Sequence, residues 1–522
     1  MAIELSTITF TNGADIVPES GEDNILNTAI ANTLAGNDTI TGMNPQSGTG
    51  IHNTGTLNTA EGNDKITGTG SGLGIYNTPT GTFNTGEGDD IISASGDRYG
   101  NGMNNSGTFN TAEGDDKISA GAGFTGLVNS GTFNTADGND TIEGFSYKSN
   151  GITIAKGSIL DTGKGNDNIR GSGYYGGIVN ASFNFNTGDG DDTIEGSGTF
   201  SAGISNVGNI NTGNGKDTII ASGGTLGPYD SNPVPSLSNF STIDTGEGED
   251  IITVSGAIQN EGIINTGDRD DIITGSGFVS YSNGGQMSAI SNKGTIDTGN
   301  GNDSIIAKGA SMSTSFSRAL SNFSTIETGN GDDIITATGS IQNDGTIDTG
   351  DGDDIITGSR TVLYFTYEIS GIDNKGTINT GNGNDSILAE GLIIGTNGTI
   401  NTGNGKDTIT SSNGIENQGK INTGDGADFL IANGGFKGTG SVFLGNGKDY
   451  LNGFGTGKFY GGNNEDTLEL TSGTYTVGIS ATTVSFTKSG VIMITSEFEK
   501  LIAGSTTYNF TSLTEGQTIV VA

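Results

Sequence analysis

Along most of the chain, aliphatic residues alternate with polar ones at period 2, in runs too short for anything but strands. In "GTINTGNGNDSILAEG" (376–391), Ile378 stands between Thr377 and Asn379, and Ile387 and Ala389 follow Ser386 at period 2, as a half-buried strand requires. A third short element recurs ahead of these two: "IHN" (51–53), "ISN" (204–206), "IQN" (258–260 and 341–343), "IDN" (372–374) and "IEN" (415–417). No apolar spacing of three or four persists, and glycine and β-branched residues dominate, which excludes helices. The pattern predicts units of three short strands, each with an inward aliphatic, separated by Asn-x-Gly and Gly-x-Gly-x-Asp turns. Stacked units of this kind form an all-β parallel β-helix or β-roll solenoid, with asparagines such as Asn260, Asn343 and Asn417 superposed in an internal ladder. Propeller blades would need longer strands and about 40 residues per unit.

Near-copies such as "GTIDTGNGNDSIIAKG" (295–310) and "GTFNTGEGDDIISASG" (81–96) set the phase. Aligned on their aspartate they give about 18 coils, anchored at Asp38, Asp64, Asp90, Asp116, Asp140, Asp167, Asp192, Asp217, Asp250, Asp271, Asp303, Asp333, Asp354, Asp385, Asp407, Asp428, Asp449 and Asp466. A degenerate copy stands at Asp23; with it, spacings run from 15 to 33 residues, and 21 is the commonest short value. Two places after the aspartate comes Ile, or Leu in the last three copies (Leu430, Leu451, Leu468), so that position points into a core. Two places before it comes Gly, except at Arg269 and Asn464, as a turn with positive φ demands. The glycine two places earlier still is replaced by Leu34, Ala60, Ala112 and Ala136, which predicts weaker turns there. The residue just before the aspartate varies and includes Lys216, Lys406, Ala427 and Lys448, so it is no obligatory ligand. The aspartate never varies.

Composition narrows the chemistry. The 522 residues include 94 glycines, only 31% are hydrophobic, and the formal charge is −38, which together argue for a thin repetitive core rather than several thick ones. That charge argues against nucleic acid and anionic membrane as partners and favours a cation. Without cysteine or tryptophan, and with His52 as the one histidine, thiolate sites and disulfides are excluded. His52 fills the x of an I-x-N element and is expected on the outer face of a strand. No stretch approaches the roughly 20 apolar residues of a membrane helix, and the first residues show neither a basic nor an apolar leader.

Carboxylates stacked at sheet spacing repel one another, so something must neutralise them. Calcium suits a glycine turn that exposes backbone carbonyls beside a hard anionic oxygen; magnesium keeps its waters, and zinc lacks ligands here. About 17 ions, one per gap between coils, would add about +34 against the formal −38.

The phrase Gly-x-Gly-x-Asp-x-Ile resembles the glycine-rich nonapeptide of the RTX proteins, the haemolysin-type calcium-binding repeats that Gram-negative bacteria export. The resemblance covers residues 32–470. It implies multiple Ca2+ ions held by the 18 aspartates, on one calcium-bearing edge rather than the family's two. Here the first glycine of the nonapeptide is usually a threonine (Thr298, Thr380, Thr402), and there is one nonapeptide per coil of about 21 residues. "YTVGISATTVSFTKSGVIMITSEFEKL" (475–501) leaves the repeat; it reads as a β cap and also resembles the C-terminal signals of type I secretion.

These readings divide the chain into an N-terminal cap (1–31), a calcium-binding solenoid (32–470), and a C-terminal β cap carrying the export signal (471–522). The expected function is a secreted, extracellular or cell-surface structural or adhesive component that folds on calcium. Its expected partners are calcium and, beyond it, polysaccharide, a cell surface or further copies of itself. It is not expected to be an enzyme. One rival is a calcium-dependent polysaccharide-active β-helix, for which the insertions offer Arg318, Arg360, Tyr364, Phe365, Tyr367 and Glu368. The other is an ice-binding solenoid, against which stands the absence of threonine between the two turn glycines. Recognition is expected in the insertions (223–236, 278–288, 309–319, 360–369) and at Tyr174, Tyr175, Tyr281, Tyr364 and Tyr367.

Overall fold

The architecture is seen in a computed structural model, which describes residues 2–18, 24–46, 48–224, 234–277, 279–280, 286–309, 318–359 and 370–522. Much of the four expected insertions lies outside these residues, as do Asp23, Tyr281, Arg360, Tyr364, Phe365, Tyr367 and Glu368. The chain is an all-β parallel solenoid built as two compact units, one ending at Asp268 and the other running from Arg269 to Ala522.

Each coil contributes one strand to each of three parallel sheets. A representative coil of the second unit runs Ile415–Asn417, Lys420–Asn422, the glycine turn, then Phe429–Ala432. The register repeats the sequence phase: Leu392 pairs with Ile415, Ile400 with Ile421, and Ile409 with Leu430. In the first unit Thr49–Asn53, Thr56–Asn58 and Lys65–Gly70 play the same parts. The inward aliphatics form three columns of fully buried side chains, and burying each contributes about 1.5–3 kcal/mol. In the first unit a stretch of one column is aromatic, with Phe83, Phe109 and Phe133 stacked at 4.7 Å between centroids.

The expected asparagine ladder exists in segments. Asn27, Asn53, Asn77, Asn105 and Asn129 pass amide hydrogen bonds of 2.8–3.0 Å from coil to coil. Ile154 and Ile394 occupy the position in two coils and interrupt the chain of amides. For that reason Asn417 has no asparagine behind it, contrary to the ladder expected for it; its amide goes to the Ser441 carbonyl at 3.1 Å.

At the N-terminal end, parallel stacking starts at once, since Ala2–Glu4 pairs in register with Asn24–Leu26 and Ile16–Val17 with Thr39–Ile40. At the other end, Gly473–Ile479, Val484–Lys488 and Val491–Ser496 form an antiparallel meander over Tyr475, Phe486 and Met493, all buried.

Candidate metal centre

All 18 anchor aspartates occupy one position, the exit of the glycine turn, and all are buried, none more than 2% exposed. The turn that places them needs a left-handed residue four places before the aspartate and a second positive φ two places before it, as at Gly403 (φ 94°) and Gly405 (φ 135°). Leu34, Ala60, Ala112 and Ala136 hold the first of these conformations at φ 63–72° without glycine's freedom, and Arg269 (φ 103°) and Asn464 (φ 88°) hold the second. Glycine is also demanded by proximity. A Cβ on Gly215 would lie 1.8 Å from the Gly190 carbonyl oxygen, and one on Gly213 1.7 Å from that of Gly188. The carbonyl of the coil before thus occupies the space that a side chain would need.

Each aspartate uses one oxygen for the stack. Oδ1 of Asp64 accepts the Asp38 amide at 2.7 Å, Oδ1 of Asp90 that of Asp64 at 2.7 Å, and Oδ1 of Asp354 that of Asp333 at 2.9 Å. The other oxygen is left over. Oδ2 is buried and accepts no hydrogen bond in Asp38, Asp64, Asp90, Asp116, Asp140, Asp167, Asp192, Asp217, Asp303, Asp333, Asp354, Asp407, Asp428, Asp449 and Asp466. The threonine five places earlier lies against the carboxylate, but in most coils it commits its proton elsewhere: Thr59 donates to the Thr85 carbonyl at 2.8 Å and Thr402 to that of Thr423 at 3.1 Å. The Thr380 hydroxyl reaches Asp385 Oδ2 at 2.5 Å, and Thr59, Thr85 and Thr328 stand near enough to Asp64, Asp90 and Asp333 to offset part of the cost of burying their charges.

Burial disfavours these charges. It pushes the carboxyls of Asp116 and Asp167 up to about 8, and those of Asp90, Asp140, Asp217, Asp333, Asp354, Asp385, Asp428 and Asp466 up to about 7. Asp64, Asp192, Asp250 and Asp303 rise to about 6, and Asp38, Asp407 and Asp449 rise for the same reason. Mutual repulsion, expected from the sequence to dominate, is secondary; neighbouring aspartates add to the shift after desolvation has set it.

Among the described residues no group of three or more His, Cys, Asp or Glu side chains is gathered to hold a metal. A cation here would meet one carboxylate oxygen per coil, completed by backbone carbonyls. That donor set is entirely hard oxygen, and it fits calcium and not zinc.

Sequence reasoning missed two neighbouring rows. The variable residue before each aspartate forms an exposed ladder of its own, in which Asn63 Oδ1 accepts the Asp89 amide at 3.2 Å and Asp332 Oδ1 the Asp353 amide at 2.8 Å. Lysine is tolerated because the row needs only its amide, as at Lys216 and Lys406, and the Lys216 side chain is free to pair with Glu249 at 3.2 Å. The threonine that replaces the nonapeptide's first glycine is a buried rung, and its recurrence at one phase was the available signal. His52 stands on the outer face as expected, half-buried and stacked on Tyr76 at 5.2 Å.

No family model matches the chain, and no curated protein matches it. Among solved structures, a hyperactive, Ca2+-dependent, β-helical antifreeze protein from an Antarctic bacterium is similar at 17% identity. The match covers 76% of this chain and 82% of that one, with a TM-score of 0.33. At that TM-score the likeness supports neither a ligand nor a function. No helix is long and apolar enough to cross a membrane among the described residues.

Proposed function

We propose that the chain is a calcium-binding repeat protein of the RTX kind, a secreted structural or adhesive scaffold whose folding is coupled to the ion. The observation that carries this reading is the row of buried aspartate carboxylates at the exits of the glycine turns, with an Oδ2 that accepts no hydrogen bond in Asp64, Asp116, Asp333 and most of the others. A buried anionic oxygen costs several kcal/mol unless a cation or a proton meets it. At neutral pH a divalent ion answers that cost at many coils at once, and ion binding then becomes folding free energy. Export by a type I route through the C-terminal segment, and no catalytic role, belong to the same reading. Calorimetric and circular-dichroism titration at pH 8 tests it: calcium raises β-structure with a midpoint between about 0.1 and 1 mM, the range of extracellular modules. Equal folding by magnesium, or full β-structure in excess chelator, refutes it.

One observation favours ice binding as a second reading, on a different surface from the glycine edge. Thr56, Thr82, Thr108 and Thr132 stack in register on the outer face of one sheet, with Asn58, Asn84, Asn110 and Asn134 beside them, an uncharged two-row array. Thermal hysteresis in calcium, lost on Thr82→Lys and Thr108→Lys, would support it; absence of hysteresis removes it.

A further inference from the structure

The first unit carries a second feature that the calcium edge does not use. Five successive coils leave the aspartate strand through turns at 97–100, 123–125, 147–150, 174–176 and 199–201, and these turns stack. Phe124 N–H donates to the Gly100 carbonyl, Tyr147 N–H to that of Ala122, Tyr175 N–H to that of Ser149, and Phe200 N–H to that of Tyr174. Every one of these coils places an aromatic ring at this edge. Tyr99 is 76% exposed, Tyr147 69%, Tyr175 55% and Phe124 50%, in a chain that is only 7% aromatic and has fully buried phenylalanines in the same coils. Large exposed apolar strips of this kind mark interaction surfaces.

The rings are held in place. Phe145 and Tyr147 meet edge to face at 4.6 Å, as do Tyr174 and Phe200 at 4.6 Å. Ser146 Oγ donates to the Phe124 carbonyl and accepts the amides of Lys148 and Ser149, and Thr125 Oγ1 donates to Ser149 Oγ at 3.2 Å. Rigid aromatics lose little entropy when a partner docks on them.

Two cations join the strip. Lys148 Nζ lies 4.0 Å from the Tyr99 ring centre and donates to the Arg98 carbonyl at 3.0 Å, and the Arg98 guanidinium lies 5.7 Å from the same ring. Among the described residues neither forms an ion pair with a carboxylate; Asp97 beside them is exposed at the same cleft, with its Oδ1 accepting the Tyr99 amide at 3.0 Å. Together with Asp97, Phe145 and Tyr147 they line a cleft of about 580 Å³ that also takes in Gly121, Ala122 and Gly123, so two cations face one carboxylate there. A Cβ on Gly121 would meet nothing within 4 Å, so the cleft exists because that strand position has no side chain.

We propose that this edge binds an acidic polysaccharide, a uronate-bearing sugar chain that lies along the stack. Its ring faces rest on the tyrosines, and one carboxylate enters the cleft against Arg98 and Lys148. Apolar ring faces stack on aromatic planes, and the arginine fork matches a carboxylate in two hydrogen bonds. The formal −38 of the chain does not forbid this, because charges farther than about 8 Å are screened at physiological salt and the contact cations decide. The proposal stands apart from the calcium reading: it concerns different residues, and it is tested on protein shown to be folded by circular dichroism.

The test is isothermal titration of the full chain in calcium with a short oligogalacturonide, beside a neutral oligoglucan. Saturable binding of the uronide alone is expected. Gly121→Leu fills the cleft on unstrained backbone and should weaken binding by about tenfold or more with an unchanged circular-dichroism spectrum. Arg98→Ala should do the same, and Tyr99→Ala with Tyr147→Ala and Tyr175→Ala should abolish binding. Undiminished binding by Gly121→Leu overturns the proposal, as does equal affinity for the neutral glucan. A dimer in light scattering that disappears in the tyrosine variant also overturns it, because the strip would then serve a second copy.

Discussion

The early turns of the first unit and the turns of the second build the same bend from different materials. Between residues 34 and 136 the left-handed position is filled by Leu34, Ala60, Ala112 and Ala136 in four of five coils, whereas the second unit uses glycine, as at Gly329, Gly350, Gly381, Gly403 and Gly424. The second unit then extends the turn into a ladder: the amides of Asp351, Asn382, Asn404 and Asp425 reach the glycine carbonyls of the coil before, and Asn330, Asp351, Asn382, Asn404 and Asp425 bridge in parallel. The first unit compensates elsewhere. Its aspartate strands run six residues from Thr39–Asn44 to Thr193–Gly198, against four in Ile355–Gly358 or Ser386–Ala389, and its core holds the phenylalanine stack. Stability thus lies in sheet and core in one unit and nearer the aspartate edge in the other.

The largest expected effect is on calcium removal. In chelator at pH 8, hydrogen exchange should show peptides within 350–430 losing protection at a calcium concentration where 83–198 keep it, giving a two-step titration. Uniform loss would erase the comparison.

Next in size is pH. Asp64, Asp333 and Asp116 have folded values of about 6, 7 and 8 against 3.8 unperturbed, and most of the row is shifted the same way by burial, so the calcium-free fold binds protons that the unfolded chain releases. That stability is fully present below about pH 4 and lost as pH rises through 6 to 8. The calcium-free protein should melt at least about 10 °C higher at pH 5 than at pH 8, and calcium should close that gap. A melting point that rises with pH in chelator would show that the carboxylates are solvated.

A smaller contrast separates neighbours. Asp333→Ala leaves the Asp303 amide without its 2.8 Å acceptor and should cost about 1–3 kcal/mol as well as about one bound calcium. Asp333→Asn keeps an acceptor and should lose the ion with less destabilisation. Asp332→Ala, on the exposed row, should cost under about 0.5 kcal/mol with unchanged stoichiometry. Smallest of all, Ala112→Gly should stabilise the first unit by up to about 1 kcal/mol in chemical denaturation, by relieving a left-handed alanine.

The phase of Ile, Gly and Asp made the three-sheet coil and its aspartate row legible, because a position that must face inward or take positive φ admits few residue types. The exposed row before the aspartate was opaque: its work is done by an Oδ1 that Asn and Asp share and by an amide that every residue carries, so its variation reads as neglect. The aromatic edge was half visible. Tyr174 and Tyr175 stood out as recognition residues, but Tyr99, Phe124 and Tyr147 meet them only through coil stacking, which unequal spacings of 24–27 residues conceal along the chain.

The direction of the aspartate hydrogen bonds gives the molecule an order of completion. From Asp15 to Asp217, and again from Asp271 onward, each amide is satisfied by a carboxylate that lies later in the chain, and the relay stops where Glu499, outside the repeat, accepts the Asp466 amide at 2.7 Å. A stack that grows coil by coil from the N-terminal end therefore always ends one bond short, until the next coil closes it. Within the second unit the last coil is finished only when Glu499 arrives, one methylene longer than the aspartates whose place it takes, which makes that glutamate the full stop of the repeat.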